Sequence, residues 1–509
     1  GSRESMRGLS AGFKTVLLVA LCALIFAPEA FAFEISGINQ DTSSAPWLFL
    51  EGANLVFTES GFRTAQVATA RVDILYNFED FDLTFEAKVE EYGLYGSIMV
   101  LLHQGDNYAG YSVAIDRNRA TVSRRNGFWN DYQWLKNING ALKLGTWHEV
   151  RLTCKDQVYT YYLDGTKMGE FEDKDRVYTK GSIDIRIMNS LAEIRNIRVT
   201  AEKDPEPKTA NIVKIDLTPN RLPNPNALIT GTFLQLDYTN TRDQEGSWKD
   251  ELKAMKDAGL DLLIVPAYSG STGPVYSVMD ELFAEANRQG ISIMIGTFSN
   301  HSYYWTDLSK KQLSETLEKT KAEITDLYNR YGDNPAFYGW YITDEIDEKD
   351  LIPSKFDLTT WYYSEQVNHI KSLTPEKPIM LSPSYESNTS PKWWEEKYDK
   401  FLEVVKIDIL GPQDSVGAKR STPEMVSTFF QAFKNACDKH GVRLWADVEI
   451  FDIDVWLPAD IDLVKRQLFA VEPFVEKVVI FEFNHYMNPY KNNNTKKLYE
   501  NYLQWLSSF

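Results

Sequence analysis

The sequence predicts a two-domain chain, an all-β sandwich followed by a (β/α)8 barrel, and three observations carry that expectation. From about Phe33 to Ala201, short alternating apolar runs sit between turn residues with almost no helical period. From Ala227 onward, apolar strand-like runs alternate eight times with amphipathic helical stretches. Between the two, residues 202–226 hold Pro205, Pro207, Pro219, Pro223 and Pro225, the composition of a linker. A length of 509 residues agrees, being too long for one compact core.

Composition narrows the function. With 54 basic against 72 acidic residues the net charge is −18, and no basic run offsets it. Nucleic acid, anionic membrane surfaces and strongly anionic polymers are therefore poor partners. Thirteen Trp, 27 Tyr and 27 Phe are a generous supply of rings, which can fill cores or stack on sugars.

The first segment reads as an address. Gly1–Ser5 precede Met6 as an added leader, and from there the order is Arg7, Lys14, the 13-residue apolar run Thr15–Ala27, then Ala30-Phe31-Ala32. A positive start, a short apolar stretch and an A-x-A site describe a secretory signal peptide, expected to be cleaved after Ala32. The apolar run is too short to span a bilayer, so no stable membrane anchor is expected. Leu21 stands where a small residue would precede a lipidated Cys22. The exported chain, periplasmic or extracellular, would keep only Cys154 and Cys437, far apart and in different domains. It would be stabilised by its cores rather than by a disulfide framework.

In the sandwich, residues 33–201, the strand-like runs are Phe81–Val89, Gly96–His103, Tyr111–Asp116, His148–Cys154, Val158–Tyr162 before the turn Asp164-Gly165, and Ser182–Ile187. The stretch Gly145-Thr146-Trp147-His148-Glu149-Val150, followed by Tyr161–Gly165 and Ile194–Val199, resembles the concanavalin-like, laminin-G-type jelly roll. That resemblance implies a carbohydrate-binding module or a domain that only packs beside a catalytic one. Trp129, Tyr132 and Trp134 are its candidate stacking residues, or else ordinary sandwich packing. A structural calcium ion would be compatible with such a fold.

In the barrel, residues 227–509, the expected strands are Ile229–Leu236, Asp261–Pro266, Ile291–Thr297, Phe337–Ile342, Pro378–Ser382, Ile407–Gly411, Arg443–Val448 and Lys477–Phe483. Their near-continuous apolar character fits a parallel sheet covered by helices. The helices include Trp248–Ala258, Val278–Arg288, Lys310–Tyr331, Thr359–Ser372, Pro423–His440 and Asp460–Ala470, and Lys496–Trp505 closes the chain.

Active sites of such barrels lie where strands end and βα loops begin. Those positions here are rich in rings, carboxylates and amides: Gln235, Asp237 and Tyr238; Tyr268; Asn300, His301, Tyr303, Tyr304 and Trp305; Asp344 and Glu345; Tyr385 and Glu386; Gln413 and Asp414; Asp447 and Glu449; Glu482, Asn484 and His485. The opposite rim offers only turn and capping types, Asn334, Glu376 and Lys377. Carboxylates with aromatic platforms suit glycoside hydrolysis, in which one acid protonates the leaving oxygen and a second attacks the anomeric carbon or activates water. Glu345 after strand four and Glu449 at the end of strand seven face each other across a barrel mouth. A separation of about 5–5.5 Å, the retaining geometry, is plausible there. Glu345 would be the acid/base and Glu449 the nucleophile.

The stretches Phe337–Glu345, Ile409–Asp414 and Trp445–Glu449 resemble a bacterial family of TIM-barrel glycoside hydrolases, similar to the large retaining clan with carboxylates after strands four and seven. The resemblance implies sugar cleavage and no particular substrate. It has one departure, Asp344 where the clan has Asn. An Asp-Glu pair also suits a substrate-assisted hexosaminidase, in which Asp344 would orient an N-acetyl group. An inverting pair with Asp447 or Glu482 as base is a further alternative. Glu482, inside an apolar strand, reads equally as a structural charge, Trp340 as core, and His301 and His485 as hydroxyl donors or loop caps. Asp452, Asp454, Asp460 and Asp462 straddle a helix start, where acidic residues are favoured structurally.

The six histidines form no zinc pattern, no G-x-S-x-G elbow is present, and Gly411–Lys419 does not have phosphate-loop spacing. No cofactor is expected. The sequence thus describes an exported glycoside hydrolase acting within a polysaccharide chain. Its rivals are a non-catalytic polysaccharide-binding protein, a lyase and a deacetylase.

Overall fold

The computed structural model describes residues 32–38, 47–50, 55–127, 132–210, 212–236, 248–266, 276–299 and 309–509. The signal-peptide segment through Phe31 lies outside the described residues. So do Trp129, Asp237, Tyr238, Tyr268, Asn300, His301, Tyr303, Tyr304 and Trp305.

The N-terminal domain is an antiparallel jelly-roll sandwich organised by two long strands, Phe81–Gln104 and Gly181–Ala201. They pair from Ser182 opposite Gln104 to Thr200 opposite Asp82. The sequence reads the first as two shorter strands, Phe81–Val89 and Gly96–His103, and only Ser182–Ile187 of the second, and the structure corrects both. A Cβ on Gly93 would stand 2.5 Å from the Asn189 carbonyl oxygen, and one on Gly96 would stand 2.6 Å from Ser190 Oγ. The missing side chains let both strands bend together through this point instead of turning back.

The sandwich core holds Val72, Ile74, Val100, Leu102, Val113 and Ile185. On the other face, Trp134, Ser123, Ser112, Leu101, Asp184 and Asp73 stand opposite one another across successive strands. Arg71, Asp73, Asp184 and Arg186 are buried on that face, with Arg186 paired to Asp184 at 2.8 Å. Tyr132 and Trp134 at its edge are 50% and 56% exposed, so neither is sandwich packing. Cys154 and Cys437 are separate buried thiols.

The linker is a strap stitched to both domains. Glu206 and Pro207 pair with Asn77 and Tyr76 of the sandwich. Downstream, the Val213 amide donates to Thr428 Oγ1 at 3.0 Å, and Arg221 forms a forked ion pair with Glu472 at 2.9 and 2.7 Å. Ile212, Val213, Ile215, Leu217 and Leu222 pack against the barrel core. A cavity of about 660 Å³ opens where sandwich, strap and barrel meet, lined by Asp73, Tyr108, Lys208, Lys392 and Thr428 among others.

The C-terminal domain is a closed barrel of eight parallel strands. They are β1 (Ile229–Phe233), β2 (Leu262–Val265), β3 (Ser292–Gly296), β4 (Phe337–Tyr341), β5 (Ile379–Leu381), β6 (Ile409–Leu410), β7 (Arg443–Glu449) and β8 (Lys477–Phe481). A long helix follows each strand: α1 (Trp248–Asp257), α2 (Tyr276–Gln289), α3 (Lys310–Tyr331), α4 (Pro353–Leu373), α5 (Pro391–Val404), α6 (Pro423–His440), α7 (Ile461–Val471) and α8 (Asn493–Ser507), with short extra helices at Glu348–Leu351 and Phe483–Tyr486. Helix α5 adds to the expected set. Ser390 caps its N-terminus, Pro391 opens its first turn, and it buries Trp393, Trp394, Tyr398, Phe401 and Leu402.

Strand side chains alternate between two cores. Phe233, Ile264, Met294, Met380, Ile409 and Val479 fill the barrel interior, whereas Leu263, Ile293, Ile295 and Trp340 point out to the helices. Trp340 is core, its indole N–H donating to Thr374 Oγ1 at 2.9 Å. The densest outer packing is between α5 and α6, where the fully buried Phe433 meets the rings of Tyr385, Trp394, Tyr398 and Phe430. Phe433→Ala is expected to cost about 3–5 kcal/mol, read as a loss in guanidinium unfolding of the full chain.

Candidate active site

The mouth of the barrel is floored by Tyr341, the last residue of β4, whose ring packs edge-on against Phe233 at 5.2 Å. Burial, with Glu345, Asp447 and Asp344 nearby, keeps its hydroxyl protonated well above the usual tyrosine range. Four acids gather above this floor. Glu345 is half-buried on the loop after β4, Asp414 is fully buried after β6, and Asp447 and Glu449 are buried along β7.

Their contacts separate their roles. Glu449 Oε1 accepts the Ala418 amide at 3.3 Å. Burial pushes Glu449 up to about 8, assisted by Asp414 and Glu345 and opposed by Ala418 and Arg420. Asp414 accepts amides of Val416 and Glu449 at 3.2 Å each and Gln467 Nε2 at 2.8 Å. Burial raises it to about 7. Asp447 Oδ2 accepts from Ser382 Oγ at 3.0 Å, while its Oδ1 has no hydrogen-bond partner among the described residues. Burial and then Glu449, Asp414 and Glu345 raise it well above the carboxylate range. Glu345 is raised by burial, and a hydrogen bond from Gln413 and the charge of Arg420 pull it partly back. Like charges crowded in a dry pocket cannot all ionise, so the set shares protons. Asp447, whose one side-chain hydrogen bond among the described residues comes from Ser382, is pushed toward the protonated form by burial and these neighbours.

Arg420 is the cation at this mouth that the sequence analysis missed. It lies on the loop after β6 and reaches Glu348 Oε2 at 3.3 Å and Glu386 Oε2 at 3.9 Å. From there its charge acts on both Glu345 and Glu449. Its only sequence signal is a place on a catalytic-face loop, which many surface arginines share.

Several of the expected substrate contacts are buried and bonded to neighbouring protein groups. Tyr385 is fully buried, donates to the Asp414 carbonyl at 2.9 Å and stacks on Phe429. Asp344 is buried, with Ser299 Oγ at 2.8 Å on one carboxylate oxygen and the Tyr362 hydroxyl at 2.5 Å on the other. Glu482 has no exposure. It accepts amides of Gln235 at 3.3 Å and His485 at 2.7 Å, caps the helix Phe483–Tyr486 and holds the His485 ring. Asn484 donates to Glu251 at 2.7 Å beneath the mouth. Gln235 is exposed at the end of β1, Gln413 also donates to the Ser382 carbonyl at 3.1 Å, and His485 is half-buried at the rim. Asp460 is the N-cap of α7, while Asp452 and Asp454 hold Lys419. Among the described residues no group of three or more His, Cys, Asp or Glu could hold a metal, and no helix is long and apolar enough to cross a membrane.

Fold and site together define a jelly-roll sandwich joined to a TIM barrel with a carboxylate-lined mouth. Residues 229–493 match the family model described as a domain of unknown function, DUF4434, and the chain belongs to that family. Residues 39–200 match the model described as a 3-keto-alpha-glucoside-1,2-lyase-like domain. Comparison with curated proteins finds no match.

Among solved structures, a Bacteroides thetaiotaomicron protein provisionally named an alpha-L-fucosidase is 23% identical. That match covers 57% of this chain and 96% of the other, with a TM-score of 0.48. The carbohydrate binding module CBM66 from Bacillus subtilis is 11% identical over 31% of this chain and 96% of its own, with a TM-score of 0.27. The beta-galactosidase from the psychrophilic Marinomonas ef1 is 11% identical over 55% and 60% of the two chains, with a TM-score of 0.38. These likenesses assign no activity or substrate to this chain.

The shared protons make stability pH-dependent. A carboxyl whose pKa is higher folded than unfolded favours folding while it stays protonated. That contribution is complete below the unfolded value of about 4 and is lost as pH rises through the folded values of about 7 and 8 for Asp414 and Glu449. Melting temperature is therefore expected to fall between pH 5 and 8.5. Asp447→Asn should flatten that fall, leaving pH 5 stability nearly unchanged and raising it at pH 8.5, as measured by thermal shift.

Proposed function

We propose that the protein is an exported glycoside hydrolase that cleaves within a polysaccharide chain by a retaining mechanism. The observation that carries this reading is that Glu345 and Glu449, on the loop after β4 and at the end of β7, feel each other's charge and that of Arg420 at the barrel mouth. In the first step Glu345 gives its proton to the glycosidic oxygen as the bond to the anomeric carbon breaks. A Glu449 oxygen bonds to that carbon. The positive charge developing on the sugar ring favours the ionised form of Glu449, which the neighbouring acids oppose in the empty site. In the second step the Glu345 carboxylate takes a proton from water as the water oxygen attacks the same carbon and Glu449 departs.

Two alternatives are disfavoured by contacts already described. A substrate-assisted route needs Asp344 free to orient an N-acetyl group, and its oxygens are taken by Ser299 and Tyr362. An inverting route needs a base open to water, whereas Asp447 is buried against Ser382 and Glu482 is spent on capping.

The test is a panel of soluble polysaccharides incubated with wild type, Glu345→Gln and Glu449→Gln, with products read by mass spectrometry. Wild type is expected to give shorter chains and each variant a rate at least about a hundredfold lower. Unsaturated fragments or released acetate would point instead to a lyase or a deacetylase. Intact polymers throughout, with binding retained, would point to a non-catalytic receptor.

A further inference from the structure

The chain leaves β7 at Glu449 and folds at once into a small hairpin, Phe451–Asp452 paired with Leu457–Pro458. Its tip is apolar and exposed: Val455 at 57%, Trp456 at 59% and Leu457 at 45%. The backbone of Trp456 is left-handed, φ 51°, and its amide donates to the Asp452 carbonyl at 2.7 Å. For a bulky non-glycine residue this conformation is costly, and it delivers the indole flat onto Phe451, centroids 5.5 Å apart and planes 21° apart. One indole face is covered by that ring.

The hairpin is fixed against the catalytic loop. The Ile453 amide donates to the Gly417 carbonyl at 3.1 Å. A Cβ on Gly417 would stand 2.6 Å from the Phe451 carbonyl oxygen, 2.8 Å from Glu449 Cβ and 3.2 Å from the Phe451 ring. Phe451 and Glu449 are thus neighbours across one glycine, and Trp456 lies one ring further out. Inward from Phe451 the rings continue through Phe481 at 6.0 Å and Phe233 at 5.9 Å to the floor ring Tyr341 at 5.2 Å. An aromatic wall therefore runs from beneath the carboxylates to the rim. Lys419, paired with Asp452 at 3.2 Å and with Asp454, sets charged hydrogen-bonding groups beside the indole.

We infer that Trp456 is the platform of a distal subsite, on which a neutral sugar residue of the bound chain stacks beyond the residue being cleaved. This rests on the glycoside-hydrolase reading for its substrate class. A flat ring takes the apolar face of a pyranose, and Lys419 with its two aspartates offers donors and acceptors to hydroxyls at the edge. A protein or lipid partner would need a wider apolar area than three residues flanked by charges.

The experiment uses the full chain carrying Glu345→Gln, so that turnover does not consume the probe. It is run in affinity gels containing neutral glucans, xylans, mannans or arabinans. At least one polymer is expected to retard the protein. Trp456→Ala is expected to raise the dissociation constant about tenfold, and Trp456→Phe to stay within about threefold of the parent. Equal retardation of Trp456→Ala and its parent overturns the inference, as does the absence of retardation by every polymer. A Trp456-dependent dimer in size-exclusion chromatography, without an effect on sugar binding, overturns it too. Cleavage by wild type that Trp456→Ala matches would sink the platform and spare the hydrolase. Trp456-dependent binding without any cleavage would do the reverse.

Discussion

The geometry of the barrel mouth hangs on the carboxylate of Asp414. One oxygen accepts the amides of Val416 and Glu449, and the other takes the side-chain amide of Gln467 from α7. Gln467 in turn donates to the Glu449 carbonyl at 2.7 Å. The Asp414 amide donates to the Asp447 carbonyl at 2.8 Å. One buried acid thus ties the loop after β6, the end of β7 and a helix outside the barrel into a single piece, and that piece aims Glu449. Both Asp414 oxygens are satisfied, and a buried acid held on both sides fixes its partners, here the direction of one side chain. The rim hairpin inherits its position from the same knot, because it begins two residues past Glu449.

Arg420 has a complementary part. It is held by Glu348 and Glu386, both buried enough to be raised by their surroundings. Its positive charge is therefore anchored on Glu348 and Glu386 while its field reaches both Glu345 and Glu449.

Much of the architecture was legible in the sequence for a simple reason. Barrel strands buried on both sides are continuous apolar runs, and β2, β3 and β4 stand out from the charged helices that follow them. The long strands of the sandwich were not legible as single elements. Gly93 and Gly96 mark a turn by composition but a close approach in space, and only the partner strand at Asn189 and Ser190 tells the two apart. Helix α5 was hidden because its apolar positions are large rings set among lysines and glutamates. In the site, sequence position identified which loops face the mouth but not which way each side chain turns. Asp344 and Glu345 are adjacent, yet one is buried against α4 and the other faces Gln413 and Arg420. Tyr385 and Glu482 sit at strand ends as expected and point into the scaffold. Arg420 was invisible because its importance comes from acids distant in sequence.

The strap between the domains changes what kind of partner the sandwich can be. A module on a loose tether searches a volume, and its benefit to a neighbour is an effective concentration set by tether length and stiffness. Here the segment from Glu206 to Asn226 is sewn to the sandwich at one end and clamped by Glu472 at the other. These bonds shorten the free tether, so the exposed edge of the sandwich is held at a set offset from the barrel mouth rather than swept through a volume.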